Sequence, residues 1–357
     1  MNPWAKCCCR IRQQPSHPNM KTIAFNAEIG AARRLVPGLL VTSLVAMSAA
    51  FLGSHYKGSM LLFALLLGLA LHFVSEDKRC AAGIQFASST VLRLGVALLG
   101  LRLTIEHVVT LGWQTVAALL CAVALTMGLG LLLAKVLRVE QSLGLLVGGA
   151  TAICGASAAL AISSVLPKYP HLERDTTLTV VGVTTLSTLA MITYPIITQW
   201  LGFDAITSGK FIGATIHDVA QVVGAGYSLS HDAGDAATIT KLMRVAFLMP
   251  VLVVISASLR GRAARAADGG PKTPLLPWFT VAFVALMLLN STGWVPPAVQ
   301  TGASDLSQAF LVLAIAGVGL KTSLQDVTQL GWRPVLMIVL VTLGLAGMAA
   351  AYLALMR

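Results

Sequence analysis

Eleven apolar stretches of near membrane-spanning length divide this chain, at about residues 35–52, 59–74, 84–101, 112–134, 142–166, 176–200, 209–230, 241–259, 275–291, 304–320 and 333–356. Each is closed by charge or by a Gly/Pro cluster. A helix needs about 20 apolar residues to cross hydrocarbon, and lipid offers the backbone no hydrogen-bond partner outside the helix itself. The expected fold is therefore an all-α polytopic membrane protein with about 11 transmembrane helices. Composition agrees: 56% of the 357 residues are hydrophobic and 11% charged, against about 25% charged in an ordinary soluble domain. Residues 1–34 are read as a disordered cytoplasmic tail and 35–357 as a single membrane transport domain. No signal peptide is recognised before the first span, and Met20 of "MKTIAFN" is an alternative start.

The net charge of +11 does not point to nucleic acid, because the charges cluster at the ends of apolar runs, where they set topology. With the N-terminus inside, seventeen Lys and Arg fall on that side and seven on the other, with Arg93 inside a span. This predicts an N-in, C-out protein of the cytoplasmic membrane. The seven include Lys241 and Arg244, read as flanking a loop. Six cysteines, three of them consecutive in "KCCCR", match no zinc spacing, and neither metal nor cofactor is expected. There is no G-x-x-x-x-G-K-[ST], so work across the membrane must draw on a gradient.

"GLRLTIEHVVTLGW" from Gly100 and "GLKTSLQDVTQLGW" from Gly319 share six of fourteen positions, with Arg102 opposite Lys321. The copies link the third to the fourth span and the tenth to the eleventh. Seven spans is an odd displacement, so they face opposite sides, the arrangement of inverted repeats in secondary carriers.

Two stretches are unusual for lipid. "GGATAICGASAAL", residues 148–160, combines Gly149, Gly155, Thr151, Cys154 and Ser157. A helix broken there would present free N–H groups and a positive dipole end to an anion; a close-packing surface of small residues is the alternative. "GATIHDVAQVVGAG" places His217, Asp218 and Gln221 in an apolar run, where an ionisable group costs about 2.5–3.5 kcal/mol and normally faces a cavity or partner. Arg93 and Arg244 are further candidates of this kind. Arg93 could instead snorkel, and His217 could simply bond a neighbouring helix. The hydroxyl-rich "TTLTVVGVTTLSTLAMITYP" is read as packing.

Through "GGATAICGASA", "HDVAQVVGAG", "KLMRVAFLMPV", "GLRL" and "GLKT", the chain from about residue 35 onward resembles the sulfate-exporter family of YeiH-like membrane proteins. Asp218 stands where that pattern leads one to expect Glu. The family is similar to the bile-acid, arsenite and auxin-type carriers, built from inverted repeats with two discontinuous crossing helices. The resemblance implies that residues 148–157 belong to one crossing helix. Its partner is expected in the tenth span, with the seventh lining the site.

The implied function is secondary active transport of a small anion, sulfate or a related oxyanion or sulfonate, by alternating access. Gly149, Thr151, Cys154, Gly155, Ser157, Gln221, Arg244 and Arg93 would bind the solute, and His217 and Asp218 would couple it to protons. The expected partners are the bilayer and the anion, with no nucleic acid; proton coupling and a homodimer are left open. Two rival classes remain: a passive anion channel, and an intramembrane enzyme using Cys154 with His217 and Asp218.

Overall fold

The computed structural model describes residues 20–56, 59–110, 112–263, 278–322 and 332–356. "KCCCR" lies outside them. All eleven expected runs are helical. They form α1 (Met20–His55), α2 (Met60–Ala70), α3 (Lys78–Phe86), α4 (Leu92–Leu99), α5 (Ile105–Thr110), α6 (Trp113–Val136), α7 (Gln141–Ala152), α8 (Ala156–Val165), α9 (Leu172–Trp200), α10 (Ala205–Thr215), α11 (Val219–Leu229), α12 (His231–Ala246), α13 (Leu248–Ala263), α14 (Trp278–Ser291), α15 (Pro297–Lys321) and α16 (Trp332–Leu355). Among the described residues, seven segments are long and apolar enough to cross a membrane: Arg34–His55, Lys78–Leu99, Trp113–Val136, Leu172–Trp200, His231–Ser258, Pro297–Lys321 and Trp332–Leu355. The shorter apolar α2 and α14 complete the alternation. A π-turn, Ala87–Val91, joins α3 to α4 within one span.

The fifth and seventh runs are discontinuous, and each doubles back at its break. In a continuous helix Gly149 and Ile162 would stand roughly 20 Å apart, yet a β-carbon on Gly149 would run into Ile162. Helices α7 and α8 are thus two arms of a hairpin. The second case follows from α12. Gly209 faces Ala233 and Gly213 faces Ala237, a constant offset along the chain, so α10 and α12 are parallel. Gly226 faces Gly234 and Ala237, so α11 and α12 are antiparallel. Helices α10 and α11 therefore point in opposite directions.

With face A defined as the side where α1 begins, the first hairpin enters from face A and the second from face B. Neighbouring contacts agree with this path. Gly68 packs on Gly319 where α2 and α15 run together from B to A. Ser307 Oγ donates to the Gly95 carbonyl at 2.7 Å while Gly317 lies on Ser88, so α4 runs against α15. The described parts of the two copies sit at opposite faces: residues 100–110 precede α6 on face B, and residues 319–322 close α15 on face A.

The tenth span corrects one expectation. Helix α15 is continuous over Pro297–Lys321, and the partner break lies in the seventh run, at residues 216–218.

Candidate functional site

The two hairpin tips meet. Gly155 turns the first tip at φ +65° and ψ −124°, a conformation that glycine adopts without a β-carbon penalty, and its N–H donates to the Ala150 carbonyl at 2.8 Å. A β-carbon there would stand 3.5 Å from that of His217 in the second tip.

Ending α7 and α10 at this depth leaves their last carbonyls without intrahelical donors, with the negative ends of two helix dipoles side by side. Two cations of α12 close them. Lys241 Nζ donates to Ile153 O at 2.7 Å and Ile216 O at 2.9 Å, one carbonyl from each tip. Arg244 donates from Nε to Ala152 O at 2.9 Å, from one terminal nitrogen to Thr151 O and Ala152 O at 2.7 and 2.6 Å, and from the other to Gly213 O at 3.2 Å. Lys241 and Arg244 are 0% and 1% exposed. Because the two are three residues apart on one helix, they present both charges on one face.

Helices α8 and α11 begin at the same tips and so present N-terminal ends. Asp218 caps α11, accepting from Ala220 N at 2.7 Å. Ser187 Oγ of α9 accepts from both His217 N and Asp218 N, at 3.2 and 3.0 Å. Gln221 Nε2 donates to Thr188 Oγ1 at 2.8 Å, and His217 Nε2 shares a hydrogen bond of 3.1 Å with Thr342 Oγ1 of α16. Among the described residues, two buried atoms around the tips have no hydrogen-bond partner: Thr151 Oγ1 and Gln221 Oε1. Such groups are costly at this depth and mark where a further polar species belongs.

A cavity of about 320 Å³ reaches the tips from face A. It is lined by Ala156 at the start of α8, by Asp218 and Gln221, by Thr184 and Thr185 of α9, by Ser88 of the π-turn and by Lys321. A second cavity of about 320 Å³ lies on face B, lined by Arg102, Tyr227, His231, Ser304 and Gln308 among others. There Arg102 Nε is 3.4 Å from Asp235 Oδ2.

The sequence-derived candidates distribute unevenly. Gln221 and Asp218 line the face A cavity. His217, Gly155 and the buried Cys154 form the tips. Gly149 packs on Ile162, and Thr151 offers its carbonyl to Arg244. Ser157 lies on an exposed flank of α8, and Arg93 is exposed on α4; neither lines the two cavities. Arg244 is engaged on helix ends. Lys241, expected beside a loop, is interior instead. The hydroxyls read as packing include Thr184, Thr185, Ser187 and Thr188, all at the tips or the cavity. Their density on one helix was a signal, as was a Lys three residues before an intramembrane Arg.

Paired re-entrant hairpins, entering from opposite faces and meeting at charged and hydroxylated tips, define a polytopic helical membrane protein with a central polar site. The chain belongs to the family described as conserved hypothetical protein 698, whose model matches residues 37–338. It is 47% identical over 328 residues to a UPF0324 membrane protein of Chlorobaculum tepidum, covering 90% of this chain and 91% of that one. It is 47% identical over 310 residues to one of Rhizobium meliloti, covering 87% and 90%. It is 46% identical over 318 residues to the UPF0324 membrane protein TauZ of Paracoccus pantotrophus, covering 89% and 94%.

Proposed function

We propose that this protein is a secondary carrier, not an enzyme, that moves a small anion across the plasma membrane by alternating access, with sulfate or a related oxyanion or sulfonate as the solute class. The observation that carries this reading is the pair of hairpin tips meeting between two cavities on opposite faces. Such a site can be reached from either side without a continuous pore.

The anion's oxygens would meet the N-terminal end of α8 at Ala156, the hydroxyls of Thr184, Thr185 and Ser88, and the charge of Lys321. Asp218 faces the same cavity, and its carboxylate would repel an anion. Protonation removes that repulsion and supplies a donor, which makes anion binding proton-linked; His217 lies beside it at the tip. The buried acceptor Gln221 Oε1 suits a protonated solute oxygen or a bridging water.

Orientation follows from charge. Doubling back moves Lys168 and Arg174 to face A and Lys210 to face B. Face A then carries Arg34, Lys78, Arg79, Lys135, Arg138, Lys168, Arg174, Lys321 and Arg333, against Arg102 and Lys210 on face B among the described residues. The positive-inside rule puts face A and the N-terminus in the cytoplasm and the C-terminus outside.

The test is uptake of radiolabelled sulfate into proteoliposomes with and without an imposed pH gradient, beside the same assay with a labelled alkyl sulfonate. Saturable, gradient-dependent uptake of one of them supports the proposal. Absence of uptake of both by folded protein refutes the solute class.

A further inference from the structure

We propose that the face B cavity is a second anion site, in which an oxyanion is held between Arg102 and a protonated His231 and so binds together with a proton. Its place in transport rests on the carrier reading above; the binding itself does not.

The cavity, about 320 Å³, is at the small end of ligand pockets, which span about 300–1,000 Å³. Arg102 lines it and is oriented from two sides. Its Nε is 3.4 Å from Asp235 Oδ2, and its guanidinium lies 5.7 Å from the centre of the Tyr227 ring. Tyr227 Oη donates to Asp235, so that carboxylate is committed to its two neighbours, and it does not line the cavity. Asp235 thus positions the guanidinium without occupying the site. The second terminal nitrogen of Arg102 has no partner among the described residues. Helix α15 adds the hydroxyl of Ser304 and the amide of Gln308, four residues apart and so on one face. Ser59, the N-cap of α2, adds a second hydroxyl.

His231 makes the site proton-dependent. Its Nδ1 is 3.1 Å from the first terminal nitrogen of Arg102. A guanidinium only donates, so Nδ1 accepts here and carries no proton. In this state the Arg102–Asp235 pair and the neutral imidazole have no net charge to offer an anion. A proton on Nδ1 adds one positive charge and turns the acceptor into a second donor. The direct contact is then lost, and an oxyanion between the two gives each donor a charged acceptor. Anion and proton therefore favour each other's binding. His231 is exposed, so solvent supplies the proton. The other titratable and charged groups around it are Arg102 and Tyr227 across the cavity and Asp232 and Asp235 on its own helix. Lys210 of α10 lines a separate apolar groove, and Asp305 of α15 a separate depression.

The experiment uses Met60→Cys, at a residue lining the cavity, as the sole cysteine of the full-length protein in detergent. Its reaction with an uncharged maleimide is timed in sulfate and in gluconate at equal ionic strength; the ratio at each pH cancels the ionisation of the thiol. Sulfate should slow the reaction, with a half-protecting concentration about fivefold lower at about pH 6 than at about pH 8. Arg102→Gln should abolish protection at both. His231→Gln should leave only the weaker, alkaline level of protection throughout. Because His231 is exposed, this variant decides the matter even if Arg102→Gln does not fold. Absence of protection in monodisperse protein, protection indifferent to pH, or protection that survives Arg102→Gln would overturn the site. Protection that disappears in Asp218→Asn would place the anion at the tips instead and also overturn it. Protection without flux in the liposome assay would support the site and refute the carrier reading; flux without protection would do the reverse.

Discussion

Gly155 and His217 hold the two hairpins against each other, with 3.5 Å between the His217 β-carbon and the place a β-carbon on Gly155 would occupy. The space would admit a methyl group; the backbone at φ +65° and ψ −124° would not accept one without strain. Gly155→Ala should therefore destabilise the protein by about 1–3 kcal/mol. Thermal unfolding in detergent reads this, and an unchanged midpoint would mean that the tip has another conformation.

The doubling back of α7 and α8 has its own signature. Gly149→Ala should be destabilising because the new methyl group meets Ile162, and Ile162→Ala in the same chain should recover part of the loss. A double-mutant cycle should give a coupling of about 1–2 kcal/mol. Strict additivity would place the two residues apart, as in a straight crossing helix.

Arg244 and Lys241 are assigned to helix ends, which separates them from solute-binding groups in an assay. Arg244→Lys keeps the charge but cannot reach carbonyls on both half-helices, and should cost about 2–4 kcal/mol of stability. The fraction that remains folded should transport with a KM close to that of the unmodified protein. A stable variant with a strongly raised KM would return Arg244 to the solute.

Asp218→Asn tests proton linkage without removing the cap, since Asn serves as an N-cap about as well as Asp. The variant should fold normally and lose the pH dependence of uptake. Persistence of the full pH response would move proton coupling elsewhere, with His217 the next group to change.

Much of the fold was legible in the apolar runs, because membrane length and backbone satisfaction leave little choice besides helices. The discontinuity at residues 148–157 was legible in its small residues. The hairpins were not, because α7 and α8 together are as long as one tilted span, and hydropathy records length without direction. For the same reason the sequence directed attention to the tenth span, while the break that meets Gly155 lies beside His217. Arg244 was recognisable as a charge at depth; its partners were not, since carbonyls freed by helix ends leave no mark in composition. Lys241 was misread because it sits near the start of an apolar run, where a topology-setting charge is commonplace.

The most direct measurement for a site reached alternately from two faces is counterflow. Proteoliposomes are loaded with radiolabelled solute, sulfate first, and its efflux is followed with and without excess unlabelled solute outside. Faster, saturable efflux in the presence of external solute is the predicted result, because a loaded carrier returns without waiting for the empty site to reorient. Efflux that is unsaturable and indifferent to the external solute would contradict alternating access and identify a pore.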